Sequence, residues 1–261
     1  MVTDPDPRSA VAGEPQELPA IAVVDLVKHY QARDGSVVRA VDGVSFDVHR
    51  GETVGLLGAN GAGKTTLLRM LVTLLKPTSG TASVDGVDIR EDPLGVRRRI
   101  GYVSATTGVP DRLTPRETLT SYGRLHGIAP ADLESSVERL IKALGMTGYA
   151  DRPSGRLSSG QRQRVSLGRA LVHEPPVLVF DEPTAAVDLL GSRELLDLLA
   201  TLRSEGRAIL LSTHRLHEIE RRCDRFVIMH AGRIVARGTR DELLEPSEDS
   251  IEDAFYRAVA S

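Results

Sequence analysis

A glycine-rich stretch between an apolar run and an apolar helical pattern constrains the fold most strongly. The stretch GANGAGKT, residues 58–65, matches the pattern G-x-x-x-x-G-K-[ST]. TVGLLG (53–58) before it is typical of a strand buried on both faces, and LLRMLVTLL (67–75) after it has the period of a helix. Glycines let backbone N–H groups wrap a polyphosphate at a helix N-terminus. We therefore predict a phosphate-binding loop, the alternative being a plain turn before a helix. Its predicted nucleotide-binding residues are Gly58, Asn60, Gly61, Ala62, Gly63, Lys64, Thr65 and Thr66.

A second apolar run, VLVFDE (177–182), ends in two carboxylates. Asp181 can hold Mg²⁺ through water, and it lies beside the phosphate loop if the two strands are neighbours. Glu182 can deprotonate an attacking water, while Lys64 reaches the outer phosphates and the Thr65 hydroxyl binds Mg²⁺. This pattern is weak alone and strong when a phosphate loop precedes it. We predict a nucleotide with Mg²⁺, and Thr65 and Asp181 as the metal ligands.

Composition excludes several classes of protein. The chain has 261 residues, 41% hydrophobic and 26% charged, enough for one large domain or a domain with a subdomain. A formal net charge of −3 gives no sign of a nucleic-acid-binding surface. Cys223 is the single cysteine, so no internal disulfide can form, as in a reducing cytosol. His214 and His217 have no third ligand at a suitable spacing, so we reject a zinc site.

The chain has no candidate for a membrane span. No segment approaches the roughly 18 consecutive apolar residues that a spanning helix needs. Residues 1–20 are rich in proline and acidic residues, which predicts a disordered tail and not a signal peptide. We expect the chain to be soluble by itself, with any membrane part supplied by another polypeptide.

The order of the predicted elements indicates a parallel core interrupted by helices. Residues 21–58 read as strands, and TASVDGVDI (81–89) reads as a hairpin turning at Asp85 and Gly86. Residues from about 110 to 172 read as helices, after which strands and helices alternate as far as the strand pair in 225–238. A further helix is expected in HEIERRCD (217–224). A parallel α/β core split by a helical insertion fits this order.

Within the helical insertion, LSSGQ (157–161) permits two interpretations. Ser158 and Gln161 form the capping-box pattern Ser-x-x-Gln ahead of a helix, which needs no ligand. The same group of donors at a helix N-terminus can instead bind an anion such as a γ-phosphate. The pattern alone does not choose between them.

Four stretches together resemble one known family. GANGAGKTT, LSSGQRQRVSLGRAL, VLVFDEPTAAVD and LLSTH, in this order and spacing, are similar to the ATP-binding cassette (ABC) ATPases over residues 21–240. The resemblance implies an α/β P-loop NTPase (RecA-like) core with an N-terminal antiparallel β subdomain and a helical subdomain at about 110–172. Residues 241–261 would form a short helical extension. ATP and Mg²⁺ are the implied ligands.

The resemblance also implies roles for individual residues. The segment Ser158, Ser159, Gly160 and Gln161 would contact the γ-phosphate of a nucleotide held by a second cassette, giving a head-to-tail dimer, here expected to be a homodimer, around two ATP. Tyr30 would stack on adenine, or else is an aromatic packed on a strand. Asp188 would belong to the loop that connects the two sites, or caps the helix starting near Leu190. His214 would contact the γ-phosphate and join Glu182 and Lys64 as a catalytic residue.

Two classes of function compete for such a chain. One is the motor subunit of a membrane transporter, held at the cytoplasmic face of the membrane by a separate permease. The other is a soluble ABC ATPase acting on ribosomes or DNA, which usually has two cassettes or long insertions. Residues 107–119, 212–239 and 248–261 resemble the sodium-extruding Nat-type and drug-export cassettes of ABC-2 exporters. We predict an exporter motor, with lipid, antibiotic or polysaccharide cargo as the alternative, and expect residues 105–130 to face the permease.

The stretch GYVSATTG (101–108) departs from the family pattern. The resemblance puts Ala105 where most cassettes have a glutamine that touches Mg²⁺ and the attacking water. A methyl group can do neither. We therefore expect either that this role is vacant or that Ser104, Thr106 or Thr107 takes part of it.

Overall fold

The computed structural model describes residues 18–104, 108–184 and 189–260. The predictions for residues 1–17, Ala105, Thr106, Thr107 and Asp188 fall outside this range. The strands are β1 Ile21–Gln31, β2 Val37–Val48, β3 Thr53–Leu57, β4 Ser79–Val84, β5 Val87–Asp88, β6 Ile100–Ser104, β7 Val177–Asp181, β8 Ala208–Thr213, β9 Arg225–His230 and β10 Arg233–Thr239. The α-helices are α1 Lys64–Leu71, α2 Pro93–Arg99, α3 Pro115–Leu125, α4 Pro130–Ala143, α5 Ser159–Leu171, α6 Leu189–Ser204, α7 Leu216–Ile219, α8 Arg240–Leu243 and α9 Ile251–Ala260. Two 3₁₀ helices cover Thr147–Tyr149 and Ser154–Arg156.

The N-terminal strands form a four-stranded antiparallel sheet in the order β2-β1-β4-β5. The predicted hairpin is present as β4 and β5, joined at Asp85 and Gly86, which both have positive φ. One apolar cluster joins this sheet to α1 and to one face of the core sheet. The antiparallel subdomain is therefore packed directly against the helix that follows the phosphate loop.

The core is a six-stranded sheet in the order β10-β9-β3-β8-β7-β6. All its pairs are parallel except β9 with β10. Every residue of β3, β7 and β8 is buried, because helices or the second sheet cover both faces. The strand β8 lies between β3 and β7, so the predicted phosphate-loop strand and the Asp181 strand are not neighbours.

The predicted helical insertion is present as α3, α4 and α5. Thr114 caps α3 in a capping box with Glu117, and Pro115 occupies the first helical position, where its missing N–H costs nothing. The side chains of Leu119, Leu133 and Val165 pack these helices into the second apolar cluster, on the other face of the core sheet. Helix α5, which begins within residues 158–161 (the signature segment), is thus fixed to the sheet through buried apolar contacts.

Two predicted helices are shorter than their sequence patterns indicated. The helix after the phosphate loop ends at Leu71, because Thr73 has a φ of 61° and the Leu74 and Leu75 N–H groups turn back to the Arg69 carbonyl. The helix expected in 217–224 is limited to α7. Asp224 forms two hydrogen bonds with Thr53 of β3. The Asp224 N–H donates to Thr53 O at 2.8 Å, and the Thr53 N–H donates to Asp224 Oδ2 at 2.9 Å. These bonds hold residue 224 against the sheet, so the helix cannot extend to it. No helix among the described residues is long and apolar enough to cross a bilayer.

Candidate functional site

The phosphate loop connects the buried end of β3 to the first residue of α1, as the sequence predicts. Gly63 has a φ of 105°, and a Cβ atom there would lie 2.2 Å from the Ala40 carbonyl oxygen. A Cβ atom at Gly58 would lie 2.7 Å from the Met229 carbonyl oxygen. These two positions therefore exclude any side chain, and the loop can run tightly enough to expose N–H groups at the N-terminus of α1.

Lys64 extends back into the loop that precedes it. Its side chain is only 6% exposed, and Nζ donates a hydrogen bond to Gly58 O at 2.6 Å. Nζ also lies 3.7 Å from Glu182 Oε1. Burial lowers the pKa of Lys64, while the negative charges of Glu182 and Asp181 act in the opposite direction. A buried ammonium beside a phosphate loop is suited to neutralise an incoming polyphosphate.

Asp181 meets Thr65 although β8 separates their strands. The Thr65 hydroxyl lies 3.2 Å from Asp181 Oδ1, and the Ser212 hydroxyl donates to the same oxygen at 2.7 Å. Thr65 reaches across because it lies in the first turn of α1, at the edge where the parallel strands end. A hydroxyl and a carboxylate this close are oxygen donors of the kind that Mg²⁺ takes when it also binds phosphate and water. The two predicted metal ligands therefore fit the ion.

Glu182 follows β7 in a left-handed backbone conformation, with φ 52°. Its backbone N–H is shared between two acceptors of Ser212, the carbonyl oxygen at 3.1 Å and the hydroxyl oxygen at 3.2 Å. Its Oε2 lies 2.7 Å from His214 Nδ1. Positive φ is uncommon for a residue with a side chain and is found at functional sites. The turn brings the Glu182 carboxylate between Lys64 and His214, so the three predicted catalytic residues form one contiguous group.

A cavity of about 370 Å³ lies in front of the phosphate loop. Its lining includes Glu182 and residues 59–66, together with Val38, Arg39, Ala40 and Ala231. Tyr30 pairs with Val38 across β1 and β2 but is not among the described residues that line this cavity. The Lys28 ammonium lies 5.1 Å from the centre of its ring. Stacking of Tyr30 on a base stays a prediction.

The signature segment lies apart from this cavity. Ser158 caps α5 in the predicted capping box, with Gln161 N to Ser158 Oγ at 3.3 Å and Ser158 N to Gln161 Oε1 at 3.0 Å. Ser158, Ser159, Gly160 and Gln161 line a second cavity of about 730 Å³, which shares no residue with the first. The capping interpretation is confirmed, and it leaves the anion-binding role open, because capping satisfies only part of the helix N-terminus.

Ser212 is a residue that the sequence interpretation missed. Its hydroxyl bonds Asp181, and its hydroxyl and carbonyl both receive the Glu182 N–H, so one side chain aligns the two acids. The signal was a serine at the end of AILLST, where an otherwise apolar buried strand finishes in hydroxyls. His214 follows this strand directly and is not on a helix with His217.

The fold and the phosphate loop define a P-loop nucleotide-binding protein with an α/β core. Residues 41–185 match the family model described as ABC transporter. The chain is 40% identical over 237 residues, 90% of its length, to the ABC transporter ATP-binding protein NatA of Bacillus subtilis, covering 95% of that protein. It is 39% identical over 205 residues to the Nod factor export ATP-binding protein I of Burkholderia lata, covering 78% of this chain and 67% of the relative.

A solved structure agrees with this relationship. The dimeric structure of a bacterial ABC transporter cassette superimposes with a TM-score of 0.77 at 25% identity, covering 84% of this chain and 98% of that one. This chain belongs to the ABC transporter family, as one of its ATP-binding cassettes, and is an ATPase.

Replacing Ser212 by alanine should impair hydrolysis more than folding. The change Ser212→Ala removes the hydrogen bond to Asp181 and one of the two acceptors for the Glu182 N–H. One such bond contributes about 0.5–1.5 kcal/mol, so we expect kcat for ATP to fall about threefold to tenfold. Steady-state ATPase assays check this. Ser204→Ala is the control, because the hydroxyl of Ser204 is exposed at the end of α6 and donates to the backbone carbonyl of Thr201. An unchanged kcat would contradict the alignment role of Ser212.

Proposed function

We propose that this chain is the ATP-hydrolysing motor subunit of an ABC-2-type exporter. The observation that carries the proposal is the position of Glu182. Its Oε1 lies 3.7 Å from Lys64 Nζ, and its Oε2 lies 2.7 Å from His214 Nδ1. A general base must lie within hydrogen-bond reach of the water that it deprotonates, and its partners must keep it oriented. Glu182 meets the second condition from both sides.

In this proposal each side chain has one task in the attack of water on the γ-phosphate. Lys64 exchanges its bond to Gly58 O for the phosphate oxygens, and Glu182 takes the proton of the water. His214 holds Glu182 and would reach the γ-phosphate. Thr65 and Asp181 would hold Mg²⁺, and the chemistry supplied by the ion when bound would be positive charge beside the phosphate oxygens. The result is ADP and phosphate, with the proton on the Glu182 carboxylate before its release.

We further propose that the active form contains two cassettes arranged head to tail. The signature segment and the phosphate loop line separate cavities, so one chain does not bring them together. The N-terminus of α5 carries N–H groups suited to an anion, and Ser158 and Gly160 would supply the contacts to a γ-phosphate bound by the other chain. The structure of the related bacterial cassette is dimeric, which supports the pairing of two cassettes. Asp188 and Tyr30 keep their proposed family roles.

Export and a separate permease are supported by relatives. The cassette of Burkholderia lata is named for Nod factor export, and NatA is named as an ABC transporter ATP-binding protein. We infer that a membrane permease, encoded separately, binds this chain at the cytoplasmic face of the membrane. The segment before and along α3 is the proposed contact. The resemblance to Nat-type and drug-export cassettes favours a sodium ion or a drug-like solute as the cargo, which would contact the permease and not the cassette.

Removal of the proposed base should separate nucleotide binding from turnover. The change Glu182→Gln keeps the size of the side chain but cannot accept the proton of water. We expect a loss of kcat of about 100-fold or more, in the range of general-base catalysis, with MgATP still bound. Phosphate release and equilibrium binding of ATP measure the two properties.

The matched control for this change is Glu205→Gln, which alters an exposed glutamate at the end of α6 that pairs with Arg207. It should leave both properties at the level of the unchanged protein. Hydrolysis by Glu182→Gln at the unchanged rate would remove Glu182 from the role of base.

Charge reversal before α3 should release the chain from membranes. Arg112 is exposed in the turn that precedes α3, whereas Arg116 in the same region is paired with Glu138 and Asp151 of its own chain. Arg112 forms no ion pair with another described residue, so the change Arg112→Glu tests the surface without breaking one. We expect the membrane-bound fraction to fall severalfold in cell fractionation, with ATPase activity of the purified chain kept. Arg33→Glu, in the exposed turn after β1, is the control, and equal membrane binding by both variants would refute this contact surface.

A further inference from the structure

The turn that carries Glu182 has an unusual backbone. Glu182 has a φ of 52° and is followed directly by Pro183. Positive φ is uncommon for a residue with a Cβ atom, and a following proline favours an extended conformation for the residue before it. Such a conformation persists only where the surrounding structure holds it. The contacts on the two sides of this turn therefore determine where the Glu182 carboxylate lies.

These contacts come from two different parts of the fold. On the N-terminal side, the Glu182 N–H is shared between the carbonyl and hydroxyl oxygens of Ser212 on β8. On the C-terminal side, the amide Nε2 of Gln163 donates to the Pro183 carbonyl oxygen at 3.1 Å. Pro183 is buried, and a buried carbonyl costs free energy unless it accepts a hydrogen bond. The Gln163 amide supplies such a bond and so stabilises the turn.

Gln163 belongs to the helix that begins at the signature segment. It lies in the second turn of α5, and its side chain lines the same cavity as residues 158–161. Val165 and Leu167 of this helix are buried in the second apolar cluster, which anchors α5. The amide therefore reaches the Pro183 carbonyl from a fixed helix. One helix presents the signature segment at its start and supports the Glu182 turn one turn later.

The contact with Pro183 requires a hydrogen-bond donor. A carbonyl oxygen can only accept a hydrogen bond, so the amide nitrogen of Gln163 faces it and not the amide oxygen. The other glutamine of this segment has a different partner, because the Gln161 side chain accepts from the Ser158 N–H in the capping box. The two glutamines therefore have separate tasks, and capping leaves the contact of Gln163 with the turn unexplained.

We propose that Gln163 is a positioning residue for Glu182. Its amide holds the Pro183 carbonyl and thereby keeps the Glu182 carboxylate between Lys64 and His214. This inference rests on the proposed function, because it requires Glu182 to be the base. Since α5 also carries the signature segment, the base at one ATP of the proposed dimer is supported by the helix that contacts the other ATP.

The test asks whether the loss of Gln163 matters only while Glu182 can act as a base. Gln163→Leu and Gln163→Glu both remove the donor, and single-turnover hydrolysis of MgATP gives the rate of the chemical step. Each change should lower this rate about threefold to tenfold, as expected for one hydrogen bond. In the Glu182→Gln background neither change should lower the residual rate further, because the base is already absent. The Kd of ATP should stay the same.

Controls separate this inference from a structural effect and from the proposed function. Gln31→Leu makes the same change at the exposed end of β1 and should leave the rate unchanged. An unchanged rate in both Gln163 variants would overturn the inference, and so would a loss in only one of them, since the missing donor is common to both. An equal fold-loss with and without the Glu182 carboxylate would also overturn it, because that pattern indicates a general structural effect. If Glu182→Gln hydrolyses ATP at the unchanged rate, the proposed function itself fails, whatever the Gln163 variants do.

Discussion

The contact between the Thr65 hydroxyl and the Asp181 carboxylate is the interaction on which the rest of the site depends. It joins α1, which follows the phosphate loop, to the end of β7, although β8 lies between the two parent strands. The contact is possible only because parallel strands end at a common edge and because α1 starts above that edge. Ser212, on the intervening strand β8, donates a hydrogen bond to the same Asp181 oxygen. Three elements therefore determine the position of one carboxylate.

The edge at which the parallel strands end also brings the charged side chains of Lys64 and Glu182 together. Lys64 is buried next to Glu182, and Glu182 is held by His214 and by the backbone of Ser212. A buried cation and carboxylate are costly to desolvate unless each has several partners. Here the partners are the groups that would contact phosphate, water and metal during the reaction. The site is consequently preorganised for nucleotide, and the signature segment of the same chain faces a different cavity.

Patterns with strict local chemistry were predictable from the sequence, and long-range relations were not. The glycines of the phosphate loop, the capping box at Ser158 and the fully buried strand β3 were predicted, because each follows from neighbouring residues alone. The order of the strands was not predictable, so the sequence left open whether β3 and β7 are neighbours, and the structure places β8 between them. Ser212 was missed because its importance depends on which strand lies beside Asp181. The helix predicted for 217–224 was too long, because the pairing of Asp224 with Thr53 is a contact between residues distant in sequence.

The central claim is that one chain contains only half of each catalytic site, with the other half supplied by a second cassette. The most direct measurement is the ATPase rate per chain as a function of chain concentration at saturating MgATP, with mass determined by light scattering in the same samples. The account predicts that the rate per chain rises with concentration while the chain is mostly monomeric, and levels off when the dimer predominates. A constant rate per chain in samples that remain monomeric would contradict it.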